Sequence, residues 1–279
     1  MYKGYHFSMA NVLLSHYFLR AEEYKRIGRT QKDAAQKVIQ EKIMSGRWVI
    51  DGSGTESEWF PQLTKHVFIS HSHKDEDVAL LIAGLLKERL GIDSFVDSAA
   101  WGCYRELAEC LYAVAKRGYP RIALQHDAQL RMSATEHAHC MLSKSLIQMM
   151  DRCECLMFLD TPASVGLHNI NIAGSSTFSP WIYTEIEASR VLRRYMYPRS
   201  MLKAANESLR SFAMDEAPRV QIVYPLNLGH LEKLDPQMFL LWVANAEEKK
   251  GRLADDQYRP YKLLDELYAN TVRRSVLHG

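Results

Sequence analysis

The chain lacks a paired-cysteine framework. Its five cysteines, Cys103, Cys110, Cys140, Cys153 and Cys155, are odd in number, scattered, and contain no Cys-x-x-Cys pair. Such a set fits reduced thiols and excludes a disulfide-stapled fold. Long apolar runs are missing too. The most apolar late stretch, Met238–Ala244, is far too short for a hydrocarbon core of about 30 Å, and the N-terminal residues carry no leader pattern. A net charge of only +2 argues against a partner held mainly by charge, such as nucleic acid. No Gly-x-Gly-x-x-Gly, phosphate-loop or Gly-x-Ser-x-Gly pattern occurs, which removes the standard dinucleotide, NTP and serine-hydrolase motifs. There is no internal repeat and no low-complexity tract. These absences point to a soluble cytoplasmic protein with no membrane or nucleic-acid partner.

What is present is an ordinary globular composition, 47% hydrophobic over 279 residues. One stretch organises the rest: His66–Asp77, HVFISHSHKDED. Val67, Phe68 and Ile69 form an apolar run that reads as a buried strand of a parallel sheet. Residues 70–75 carry no apolar side chain and read as a loop. Val78, Leu81, Ile82, Leu85, Leu86 and Leu90 then recur at helical spacing, with Asp75 or Asp77 as a cap and Gly91 as the C′ residue. Ile92–Asp97 reads as a second strand. Ligands of such sheets gather at the carboxyl ends of strands, where the 70–75 loop lies.

Residues 1–46 read as two amphipathic helices, with Ala10, Leu13, Leu14 and Phe18 on one stripe and Ala34, Ala35, Val38, Ile39 and Ile43 on another, separated at Gly28-Arg29-Thr30. Residues 51–58 are polar and turn-rich, a linker or mobile loop. This makes 1–62 a helical N-terminal extension and linker, and 63–279 the main domain. Within it, 104–117 reads as a helix. Residues 118–135 show no periodicity, so an insertion is expected near 103–135. Glu136–Asp151 is helical and Cys155–Leu159 is a third strand. Residues 163–178 form a long loop. Ser179 caps a helix that Pro180 opens. Arg219–Tyr224 reads as a fourth strand, Phe239–Val243 as a fifth strand or a helix turn, and Tyr261–Leu277 as a terminal helix closing a C-terminal helical extension. The expected class is α/β: a flavodoxin-like parallel sheet with helices on both faces.

Two segments carry a resemblance. They are Val67–Gly102, VFISHSHKDEDVALLIAGLLKERLGIDSFVDSAAWG, and Cys155–Arg190, ending SPWIYTEIEASR. Together they cover about a quarter of the chain. They resemble the Toll/interleukin-1 receptor (TIR) domain family, and more closely the Thoeris-like bacterial TIR proteins of anti-phage defence. The first ~60 residues have no counterpart in the minimal domain. The resemblance implies cleavage of NAD⁺ at its nicotinamide–ribose bond, with NAD⁺ as substrate and no separate cofactor. The family's essential helix glutamate maps onto Glu185, four residues after Trp181. Its nucleotide-lining loop maps onto Ser70, His71 and Ser72. Its loop after the second strand maps onto Asp97–Gly102, which contains Trp101 and often meets a neighbouring copy. A homo-oligomer and a separate effector that senses the product are implied as partners.

The chemistry asks for little. Breaking the bond builds positive charge on the ribose, which a carboxylate stabilises. Nicotinamide leaves as a neutral ring, so no general acid is needed. Read by spacing alone, Glu185 is a solvated helix residue. Ser179 is a cap or a ribose or phosphate contact, and Trp181 packs or stacks on a base. Trp101 shields the site or anchors its loop, and Asp97 caps a turn or faces the pocket. The pairs His71/His73 and His137/His139 raise zinc as a rival, but residues two apart on a helix do not face each other. A TIR scaffold that assembles without chemistry, or a sensor that binds a nucleotide signal, are the alternative functions.

Overall fold

Strands with no polar side form the centre of the molecule. The computed structural model describes residues 2–8, 20–29, 51–101, 104–118, 120–166, 175–192 and 222–277. In chain order, β1 (Lys3–Ser8) and α1 (Ala21–Arg29) come first, followed by α2 (Gly52–Trp59). Next are β2 (Val67–Ser70), a 3₁₀ turn (His73–Asp75) and α3 (Glu76–Leu85), which runs into a π-helical turn (Leu86–Leu90). Then come β3 (Ser94–Phe95), α4 (Asp97–Ala100), α5 (Tyr104–Gly118), α6 (Pro120–Arg152), β4 (Cys155–Asp160), β5 (Ser176–Thr177) and α7 (Pro180–Val191). The chain closes with β6 (Tyr224–Pro225), β7 (Glu232–Leu234), α8 (Pro236–Lys250) and α9 (Arg259–Leu277).

The main sheet has five strands in the order β3-β2-β4-β1-β7, and every pairing is parallel. Counted from β2, the first three places follow the flavodoxin-like order 2-1-3; the N-terminal strand β1 takes the fourth place and β7 the fifth. β2 and β4 are buried on both faces because helices cover both. Alternation sorts the side chains into two cores. Tyr5, Val67, Ile69 and Met157 face α1, α3, α8 and α9. Phe68, Phe95, Leu156 and Phe158 face α2, α5, α6 and α7. The α/β class with helices on both faces therefore holds.

The N-terminal reading is corrected. Lys3–Ser8 is not helical; it pairs with β4 along its whole length and with β7 over Tyr5–Phe7. Tyr5 and Phe7 are buried on one face while Lys3, Gly4 and His6 are half-buried, the period of a strand. The segment is thus an inner strand of the sheet rather than part of an appended extension. Gly28 and Arg29, expected between two helices, form the end of α1, where a β-carbon at Gly28 would fall 2.5 Å from the Leu80 carbonyl oxygen; the residues after Arg29, up to 50, lie outside the described set. The two expected N-terminal stripes lie outside the described residues.

Residues 51–58 are not a loop. Asp51 caps α2 by accepting from the Ser53 N–H at 3.0 Å. Within the stretch 118–135, where the sequence shows no strong periodicity, α6 runs from Pro120 onward with a kink at His126 (φ −134°, ψ 35°). Of the expected strand Arg219–Tyr224, the described residues join no strand of the main sheet. Residues 219–221 lie outside the described set, and Tyr224–Pro225 makes only a short antiparallel pairing with β5. Phe239–Val243 lies within α8, with Asp235 as its cap. Gly91 ends the π-helical turn with φ 72°, the left-handed geometry expected of a C′ glycine.

Candidate functional site

At the carboxyl edge of the sheet, β2 and β4 lie side by side where strand order reverses, the place at which ligands of open α/β sheets bind. Ser70 is the last residue of β2 and pairs in register with Phe158 of β4. α7 crosses above this edge. Its N-terminus is set by Ser179, whose hydroxyl accepts from the Ile182 N–H at 3.3 Å, and by Pro180 in the first turn. That placement turns Glu185 inward. The Ser70 hydroxyl donates to Glu185 Oε2 at 2.5 Å, and the glutamate is only 4% exposed.

The electrostatics of this pair are unusual. Burial pushes the Glu185 carboxyl up to about 8, the nearby charge of Asp97 pushes in the same direction, and the Ser70 hydrogen bond opposes both. Asp97 opens α4 and is partly exposed. Its Oδ1 stands 3.7 Å from Nδ1 of His71, whose ring is buried and also lies 3.2 Å from the Ile69 carbonyl oxygen. Ser70, His71, Asp97 and Glu185, read from three separate points of the sequence, therefore form one cluster. A solvated role for Glu185 is excluded by its burial.

Other expected contacts sit beside the cluster. The Ser72 hydroxyl caps the 3₁₀ turn, accepting from the Lys74 N–H at 3.4 Å. Asp75 makes no side-chain cap for α3; it instead accepts from the Thr161 hydroxyl at 2.5 Å, which ties the loop after β2 to the loop after β4. Asp77 turns away to Lys25 and Arg29 of α1. Trp101 donates to the Pro61 carbonyl at 3.0 Å and packs edge-on against Phe60 and Phe95, which makes it a loop anchor. Trp181 is half-buried, with His139 at 5.0 Å and Tyr104 at 5.7 Å between ring centroids. This small aromatic group lies one helical turn from Glu185 on the same side of α7.

The histidine pairs do not act as pairs. His71 is buried while His73 is exposed, and His139 packs among aromatics while His137 is exposed. Burial and Arg105 hold the His139 ring below its ordinary value. Among the described residues, no group of three or more His, Cys, Asp or Glu side chains gathers as metal ligands would. Nor is any helix among them long and apolar enough to cross a membrane.

Two polar residues of this edge carry no motif. His6 of β1 places Nε2 2.5 Å from Asp160 Oδ2 at the end of β4. The only local signal was the alternation of Tyr5 and Phe7 around His6, a half-buried strand pattern overshadowed by the apolar stripe that follows it. Compared with protein-family models, curated proteins and solved structures, the chain matches none.

Proposed function

We propose that this protein is a TIR-type enzyme that cleaves the nicotinamide–ribose bond of NAD⁺, yielding ADP-ribose or a cyclic or conjugated ADP-ribose signal in defence against phage. One observation carries the reading: a buried glutamate, Glu185, sits at the carboxyl edge of the sheet against the loop whose sequence resembles the family's nucleotide wall.

The chemistry follows from the environment of that carboxyl. Burial and Asp97 keep it protonated near pH 7. A bound substrate bearing a cationic pyridinium supplies the opposite charge that this site lacks, which favours the carboxylate. When the C1′–N bond breaks, its electron pair leaves with nicotinamide and the positive charge passes to the ribose. In a dry site, a fixed carboxylate stabilises that charge far better than water does. Ser70 orients the carboxylate by donating to one oxygen, which leaves the other for the ribose. Glu185 both binds and stabilises; Ser70, His71 and Asp97 shape the pocket and set the charge balance. The product would act on a separate effector, and copies of the chain would assemble around the site.

The test is mass spectrometry of NAD⁺ incubated with protein purified before and after phage infection of the source cells. Nicotinamide release that disappears in Glu185→Gln supports the reading. No release under either condition, or release that Glu185→Gln leaves intact, overturns it.

A further inference from the structure

β1 brings a second polar pair to the same face of the sheet as Glu185. Register sets the faces: His6 of β1, Phe158 of β4 and Ser70 of β2 are successive partners across the sheet. Residues in register point to the same side, so His6 and Ser70 share a face. They stand two strand spacings apart, about 10 Å. The His6 ring stacks on Phe158 with centroids 6.1 Å apart. Asp160, two residues beyond Phe158, points to the same side and holds His6 Nε2 at 2.5 Å. Above this face, Glu185 of α7 meets Ser70 of β2, and Ser189 of α7 borders a cleft with Gly4 of β1 and Leu231, the residue before β7. Both dyad side chains keep contact with solvent, at 17% and 28% exposure.

A histidine held by a carboxylate at one ring nitrogen is the arrangement of a proton acceptor. The carboxylate orients the ring and offsets the charge formed when the other nitrogen is protonated. In the Glu185 cluster the carboxylate facing the ribose cation is engaged by that charge, and the His71 ring is buried with its Nδ1 turned to the Ile69 carbonyl and Asp97. We propose that His6, positioned by Asp160, accepts the proton of the nucleophile that captures the ribose cation. This inference rests on the reading of the protein as an NAD⁺-cleaving enzyme.

The step balances. Nicotinamide has left with the bonding electron pair. A lone pair on the acceptor oxygen, of water or of a hydroxyl, forms the new bond to C1′. The O–H bond of the acceptor breaks, and its proton passes to His6 Nδ1. The imidazolium then returns that proton to solvent. Because the N-terminal strand supplies His6, the residues before the matched segments are part of the site rather than an addition to it.

Two charged residues stand beside His6: Asp160 of β4, at its ring nitrogen, and Lys233 of β7, its register partner.

The experiment compares kcat and KM for NAD⁺ turnover in wild type, His6→Gln, Asp160→Asn and Glu185→Gln. Glutamine retains the amide nitrogen that reaches Asp160, so His6→Gln preserves the strand contact, and its melting temperature is checked against wild type. The expected result is about a 100-fold loss of kcat in His6→Gln. KM should change by less than about threefold. Asp160→Asn, which loosens the ring that Asp160 holds, should lower kcat less than His6→Gln does, with KM again little changed. Full activity in a folded His6→Gln, with Glu185→Gln inactive, overturns this inference and leaves the proposed function standing. A wild type that releases no nicotinamide overturns both.

Discussion

The Ser70 hydroxyl lies 2.5 Å from Oε2 of Glu185, across 115 positions of sequence. It is the one hydrogen bond that lowers the pKa of a carboxyl which burial and Asp97 both raise. Ser70→Ala is therefore expected to raise the Glu185 pKa further and to disorder the carboxylate. A hydrogen bond to a charged group is worth about 1.5–3 kcal/mol, which corresponds to roughly a 10- to 100-fold fall in kcat for nicotinamide release. Steady-state rates of Ser70→Ala that match wild type would remove Ser70 from the site.

Asp97→Asn removes the like charge that helps to hold Glu185 protonated. The Glu185 carboxyl should then titrate at lower pH, though still above its ordinary range because burial is the larger cause. The measurement is the carboxyl ¹³C shift of Glu185 followed by NMR through a pH series. A titration that stays in place or moves upward would show that Asp97 does not act on Glu185.

Two buried groups should tilt stability in opposite directions with pH. Glu185 is raised from 4.5 to about 8 in the folded protein, so its contribution is fully present below about pH 4.5 and is lost as pH rises towards 8. His66 is lowered from 6.5 to about 4 by burial, its Nδ1 accepting from the Asp93 N–H at 2.9 Å. Its contribution is present above about pH 6.5 and is lost as pH falls towards 4. Each effect is on the order of 3–5 kcal/mol at its full extent. Urea unfolding should show Glu185→Gln gaining on wild type at pH 8 but not at pH 4.5. Parallel pH curves for the two proteins would contradict the assignment.

The crossing of α1 on α3 depends on backbone contact. A β-carbon at Gly84 would lie 1.9 Å from the Tyr24 carbonyl oxygen, so Gly84→Ala must push the helices apart. The expected cost is about 1–3 kcal/mol or more. At Gly52 in α2 the nearest atom to an added β-carbon is Met141 Cε at 3.7 Å, so Gly52→Ala should be neutral or slightly stabilising. Equal melting temperatures for the two variants would refute the tight crossing.

The sequence by itself determined the β2–loop–α3–β3 unit, the β4 strand and the capped helix that carries Glu185. Strands buried on both faces are apolar without interruption, and helix caps are local signals, so both can be read from short stretches. It also named Ser70, His71, Asp97 and Glu185, although only through a resemblance between segments. Tertiary structure alone decided that Lys3–Ser8 is the fourth strand and that His6 meets Asp160 there. It also decided that Gly28 and Gly84 sit at a helix crossing and that Trp101 anchors its loop on Pro61. The reason is physical. A six-residue alternating segment is ambiguous until its backbone groups find partners, and here β4 and β7, far along the chain, supply them. Burial likewise comes from packing rather than spacing, and it is burial that turns an ordinary helix glutamate into a carboxyl able to answer a cation.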